Sequence, residues 1–172
     1  HSINFFSPRA SLSWQLQPAI SVQVSAYRAY RTPTLNELHR GFRVGNVVTD
    51  GNPLLEPERL TGVEGGVLLA RRRFSARATG FWNHLDEAIT NVTLRVTPTQ
   101  ITRQKQNADR VRAAGIELEA DFRPHPALSV TALAAITASH FRGSPALPEL
   151  KGNRVPQVAA YQLGAGVTYA DP

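Results

Sequence analysis

The chain predicts an all-β fold: an antiparallel up-and-down transmembrane β-barrel, of which these 172 residues carry about seven strands. Three observations carry this expectation. Apolar and polar residues alternate with period two along most of the chain, as in strands with one apolar face and one wet face. Tight and long reversals alternate, so the tight ones share one side of the sheet and the long ones the other. Aromatic residues close the apolar faces at a spacing that matches a bilayer's apolar band.

From Ser7 to Gln17, Ala10, Leu12, Trp14 and Leu16 oppose Arg9, Ser11, Ser13 and Gln15. Gln17-Pro18-Ala19 breaks the chain, and Ile20, Val22, Val24 and Ala26 then oppose Ser21, Gln23, Ser25 and Tyr27, which makes a hairpin. Tyr30 to Arg59 reads as a long loop, because Pro33, Pro53 and Pro57 stop both helix and ladder. Its apolar residues argue for a packed, functional loop over a disordered one. Thr61, Val63, Val67 and Leu69 mark the next strand, and Arg71-Arg72-Arg73 the next turn. Phe74, Ala76, Ala78 and Trp82 then line one face, Phe81 breaks the rule, and Leu85 to Ala88 interrupts the register as a bulge would. The chain reverses near Thr97 to Gln100 and returns through a polar stretch to Ile116, Leu118, Ala120 and Phe122. Pro124-His125-Pro126 is the next tight break, Leu128 to Phe141 a small-residue strand, Arg142 to Val155 a second long loop, and Tyr161 to Tyr169 the last strand.

A barrel with short turns on the periplasmic side and long loops outside gives this parity, which a sandwich with Greek-key crossings does not require. Phe74, Phe122 and Tyr169 lie near short turns and form an inner aromatic girdle; Trp82 and Tyr30 mark the outer one. At about 3.3 Å per residue and a tilt of roughly 40°, Phe74 to Trp82 covers about 20 Å and Ile20 to Tyr30 about 25 Å, close to the apolar band of such barrels. The opposite face carries Glu64, Arg77, Glu117, Glu119 and Asp121, which are costly to bury unpaired and therefore belong to a wet or ion-paired lumen wall.

Composition narrows the rest. The net charge of +6 is spread thinly and clusters only at Arg71 to Arg73, with no recognisable nucleic-acid module, so nucleic acid is not an expected partner. There is no cysteine, hence no thiolate metal site or disulfide. No apolar run is long enough for a transmembrane helix, and the first residues lack the order of a signal peptide. Ser, His and acidic residues occur at no spacing that singles out a catalytic triad, so no catalytic residue, metal site or cofactor is expected.

Three motifs resemble those of the barrel of TonB-dependent outer-membrane receptors. Arg31-Thr32-Pro33-Thr34-Leu35-Asn36-Glu37 follows R-x-P-T-x-x-E. Asn52-Pro53-Leu54-Leu55-Glu56-Pro57-Glu58 follows N-P-x-L-x-P-E, and the run from Asn107 ends in Gly115-Ile116-Glu117-Leu118-Glu119. Each is weak alone; three in family order on the strand parity above are specific. The resemblance implies a barrel of about 22 strands, of which these seven would be an interior fragment, without the plug domain and the barrel termini. Such a fragment, isolated with two cut edges, is expected to aggregate without detergent.

The resemblance also implies energised uptake across the bacterial outer membrane of a scarce, large nutrient such as a ferric siderophore. Its partners would be outer-membrane lipid, the plug of the same full-length chain, and the TonB complex through the N-terminal part. Arg40, Arg43, Arg142 and Arg154 are the loop residues expected to attract an anionic chelate. His39 lies between the arginine-proline and asparagine-proline motifs, where haem receptors of the family place an axial histidine, although the motifs here are the generic variety. A haem or cobalamin receptor of the same family, a passive porin-like barrel and a soluble carbohydrate-binding sandwich are the rival readings.

Overall fold

The computed structural model describes residues 5–143 and 148–170, and within them nine strands form one open sheet. Seven are barrel strands: β1 (Arg9–Gln17), β2 (Ile20–Arg31), β5 (Glu58–Arg71), β6 (Phe74–Val96), β7 (Ile101–His125), β8 (Leu128–Phe141) and β9 (Tyr161–Tyr169). They stand in that order, each antiparallel to its neighbours. The tight reversals at Pro18–Ala19, Arg72–Arg73 and Pro126–Ala127 share one end of the sheet.

The register carries the alternation across all seven strands. Leu12, Val24, Gly65, Gly80, Ile116, Ile136 and Tyr161 form one continuous row of neighbours on the outward face. Ser13, Gln23, Gly66, Thr79, Glu117, Ala135 and Gln162 form a row on the other. A one-residue slip anywhere would carry carboxylates to the apolar side, so the pattern fixes the pairing. Phe74 and Phe122 are direct partners next to the tight turns, which builds the inner girdle. Phe81, the exception to the apolar alternation, faces inward and covers Gly115. A Cβ there would stand 2.4 Å from the Ile136 carbonyl oxygen and 2.7 Å from the Phe81 ring, so no larger residue fits.

Among the described residues there is no large core. Buried apolar residues are scattered at Ala19, Leu55, Ala88, Val92 and Ala127, while outward side chains such as Leu163 and Trp14 are 88% and 67% exposed. A single layer with this much bare apolar surface calls for an apolar covering on its outward face.

One feature differs from the sequence expectation. The stretch from Tyr30 to Arg59 is not irregular throughout: it holds a short helix, α1 (Leu35–His39), and a hairpin of β3 (Phe42–Val44) and β4 (Val47–Asp50). The prolines that argued against regular structure flank this proline-free interval and do not interrupt it. The strand count is accordingly nine, and β4 pairs in parallel with β7, Val47 against Ile101 through Asp50 against Gln104, the one parallel pairing in the described sheet. The bulge expected at Leu85 to Ala88 is present, and the strand resumes beyond it as the sequence predicts. Glu87 adopts φ 57° there, and β6 and β7 run on together to a turn closed by Thr97 and Gln100, whose N–H to carbonyl bond is 2.8 Å.

The two faces should respond oppositely to charge. Leu118→Arg on the outward face is expected to cost about 2–4 kcal/mol of folding in lipid, and Thr131→Arg on the inward face much less. Refolding yield and heat-modifiable gel migration of the intact protein measure the difference.

Candidate functional site

The ends of the long loop are tied by one arginine. Arg31, the last residue of β2, stands opposite Glu58, the first of β5. Its Nε donates to Glu58 Oε2, while Nη1 and Nη2 donate to the two Glu37 oxygens at 2.9 and 3.3 Å. Glu37 is also the third helical residue of α1, and Thr34 caps that helix. Glu37 N–H donates to Thr34 Oγ1 at 3.2 Å, and the Thr34 N–H donates back to Glu37 Oε2 at 2.8 Å, a reciprocal capping box. Pro33 sits just ahead of this cap. Burial pushes the Glu37 carboxyl up, but the hydrogen bonds from Arg31 and Thr34 outweigh it and hold its pKa at about 2. The Arg31 pKa is raised by its bonds to Glu58 and Glu37.

The remaining motif residues seat the loop on the long β6–β7 hairpin. Asn52 N–H donates to the Glu37 carbonyl at 2.9 Å. Its side chain accepts from Leu54 N–H at 3.0 Å and donates to the Lys105 carbonyl on β7 at 3.0 Å, with Pro53 inside the turn so formed. Leu55 is buried beneath. Asn107 grips both sides: its Nδ2 donates to the carbonyls of Glu56 and of the bulge residue Glu87, each at 2.8 Å, and its Oδ1 accepts from Glu56 N–H at 2.7 Å. Pro57 ends the loop, and Glu58 Oε1 accepts from Ile89 N–H at 2.8 Å. The first two motifs and Asn107 therefore form one connected network.

The third motif's Gly115, Glu117 and Glu119 belong to the inward wall. Arg77 Nε lies 3.9 Å from Glu119 Oε2, both groups exposed, and Asp121 stands opposite Ser75 nearer the short turns. Glu64 accepts a 2.9 Å bond from the Tyr27 hydroxyl, which also lies 3.0 Å from Asn83 Oδ1. Gly62 makes room for that contact, since a Cβ there would meet the Tyr27 ring at 2.4 Å. A polar depression of about 340 Å³ runs along this wall between Arg9, Glu64, Arg77, Glu117 and Glu119. The Tyr27–Glu64–Asn83 cluster leaves no signal in the sequence, because it joins three strands and emerges only from their register.

The charged loop candidates divide. His39 and Arg40 close α1, exposed, and Arg43 on β3 donates to the Gly45 carbonyl at 2.9 Å. Arg142 and Arg154 flank the other long loop: the Arg142 N–H donates to the Arg110 carbonyl at 2.7 Å, and Arg154 bridges to His140. Among the described residues no group of three or more histidines and acids is arranged to hold a metal ion.

The family model for TonB-dependent receptor-like β-barrels matches residues 1–172. No curated protein sequence matches the chain. Among solved structures, the siderophore receptor PirA of Pseudomonas aeruginosa superposes with a TM-score of 0.75 at 18% identity, over 95% of this chain and 30% of that one. The copper transporter OprC gives 0.73 at 18% identity, over 95% and 24%. The ferric enterobactin receptor PfeA of P. aeruginosa, in complex with enterobactin, gives 0.70 at 17% identity, over 95% and 25%. The chain thus spans less than a third of the length of these proteins, and at such identities the likeness is one of fold.

Because the folded pKa of Glu37 is depressed, its contribution is fully present above the ordinary value of 4.5 and is lost as pH falls from there towards about 2. Amide exchange at Asn52, whose N–H rests on the Glu37 carbonyl, is expected to accelerate through that window and to be fast at neutral pH in Glu37→Gln. Asn107→Ala should raise exchange at Glu56 as well, leaving the amides of β8 unchanged.

Proposed function

The chain belongs to the TonB-dependent receptor-like β-barrel family, and on that premise we propose that it forms part of an outer-membrane receptor importing a ferric siderophore. The observation that carries this reading is the pinned loop assembly. An ordinary connector would not need Arg31, Asn52 and Asn107 to fasten α1 and the β3–β4 hairpin to the barrel rim. Fastened, they present Leu35, Phe42, Val44 and Leu54 to solvent beside Arg40 and Arg43. A mixed apolar and cationic surface suits a large anionic iron chelate, whose organic rim is apolar and whose metal centre carries negative charge.

In this reading the loops capture the chelate and hold it at the mouth. The plug of the same full-length protein lies against the polar wall of Glu64, Arg77, Glu117, Glu119 and Asp121, where hydrated side chains allow a polar surface to shift without exposing apolar area. Proton-motive force reaching the plug through TonB drives release to the periplasm, and lipid of the outer membrane covers the outward rows. The chain itself needs no catalytic group.

Cargo identity rests on the loops, since the same architecture is found in the copper transporter OprC. Replacing Arg40 and Arg43 together by glutamine in the full-length receptor is expected to weaken binding of an anionic ferric chelate by about three- to tenfold at low salt, and less at high salt. Titration by fluorescence quenching reads this directly. Affinity indifferent both to ionic strength and to the double substitution would remove the electrostatic part of the proposal. His39→Ala is expected to leave siderophore-dependent growth unchanged; loss of haem-dependent growth instead would redirect the assignment to a haem receptor.

A further inference from the structure

Basic residues dispersed along the sequence come together on the outward face. Arg28 stands beside Thr61, Thr61 beside His84, His84 beside Arg112, Arg112 beside His140 and His140 beside Arg154, so one row crosses β2, β5, β6, β7 and β8 into the last long connection. The next row outward holds Tyr30, Arg59 and Asp86. The next row inward holds Ala26, Val63, Trp82, Ala114 and Ala138, the last apolar row, in which Trp82 forms the outer girdle. Two residues along a tilted strand raise the arginine row about 5 Å above Trp82, from the edge of the hydrocarbon into the headgroup layer.

The charge in this belt is not neutralised from within. Asp86 is the only acid among the described residues of the two upper rows, and both its oxygens are engaged: Oδ2 by Arg59 at 2.9 Å and Oδ1 by His84 at 3.0 Å. Arg28, Arg112 and Arg154 are exposed and have no ion-pair partner among the described residues. Arg28 and Arg112 stand three strand spacings apart, roughly 14 Å, and Arg112 and Arg154 two, roughly 10 Å; on the lipid side of the sheet, these guanidinium groups cannot reach a cargo in the lumen. They are set to meet anions lying beside the barrel, and guanidinium takes phosphate oxygens in pairs.

We propose that this belt binds the phosphate groups of a phosphorylated glycolipid in the outer leaflet of the outer membrane. The proposal rests on the outer-membrane reading above but not on the cargo. The belt assigns to Arg154 a lipid contact in place of attraction to the chelate, so the two loops carrying basic residues serve different ligands.

Native mass spectrometry of the full-length receptor in detergent tests it, with lipid A bearing two phosphates, the same lipid dephosphorylated, and inorganic phosphate as probes. The bis-phosphorylated lipid is expected to bind about tenfold tighter than the dephosphorylated one, and the Arg28→Gln, Arg112→Gln, Arg154→Gln triple variant to lose about that factor. Inward-facing Arg77→Gln should lose nothing. Equal binding of the two lipids, or an undiminished triple variant that still migrates as a folded barrel, overturns the proposal. Effective competition by inorganic phosphate also overturns it, assigning the belt to free anions. If the triple variant does not fold, Arg28→Gln and Arg112→Gln singly are expected to lose about two- to threefold each, and no loss in either is the overturning result. Chelate binding measured on the same samples reads the uptake proposal separately: its failure with lipid binding intact removes the cargo, and the reverse removes only the belt.

Discussion

A single layer of sheet with no second layer behind it depends on one constraint: every strand must keep the same register with its neighbours. Each strand presents one apolar face and one polar face, and its backbone groups are satisfied only by the strands on either side. The continuous row from Leu12 to Tyr161 and the polar row from Ser13 to Gln162 are two views of that constraint. Local exceptions are tolerated only where a small residue absorbs them, as Gly115 does under Phe81 and Gly62 under Tyr27. The bulge at Glu87 falls where the barrel ends and the solvent-borne part of the hairpin begins, so a register shift there costs the membrane part nothing.

Above the rim a different kind of order takes over. The loop assembly has little apolar burial and is held by directed polar contacts: Arg31 joining two carboxylates, a helix of five residues stabilised by its own cap, and two asparagines whose amides complete exposed strand edges. Charged hydrogen bonds of this kind are each worth more than neutral ones, and they specify geometry. That suits a surface whose task is to hold a particular shape in water.

The barrel strands, the tight turns, the inner girdle and the bulge were legible in the sequence because each is a local pattern with a period or a breaker residue. The corner at Arg31, Glu37 and Glu58 was legible only in part: the motifs place those residues at the two ends of the loop, but Glu37 is brought back to Arg31 by α1, a helix the prolines argued against. The β3–β4 hairpin was not legible: its strands, Phe42–Val44 and Val47–Asp50, are too short to display a period, and β4 is stabilised by β7, more than fifty residues away. The Tyr27–Glu64–Asn83 cluster and the outward basic row were hidden for the same reason. Residues such as Arg28 and Arg112 look like isolated surface charges until cross-strand pairing makes them neighbours.

The parallel contact between β4 and β7 has an evolutionary consequence. It joins the tip of the long loop to the distal part of the β6–β7 hairpin, while both remain attached to the barrel through the corner at Arg31, Glu58 and Asn107. The turns at Gly45–Asn46 and Thr97–Gln100 lie at the free ends of this assembly. Insertions, deletions or wholesale exchange at those two turns would leave the corner and the membrane register untouched. A lineage can therefore diversify what this end of the sheet presents, on an inherited pedestal that has no need to refold.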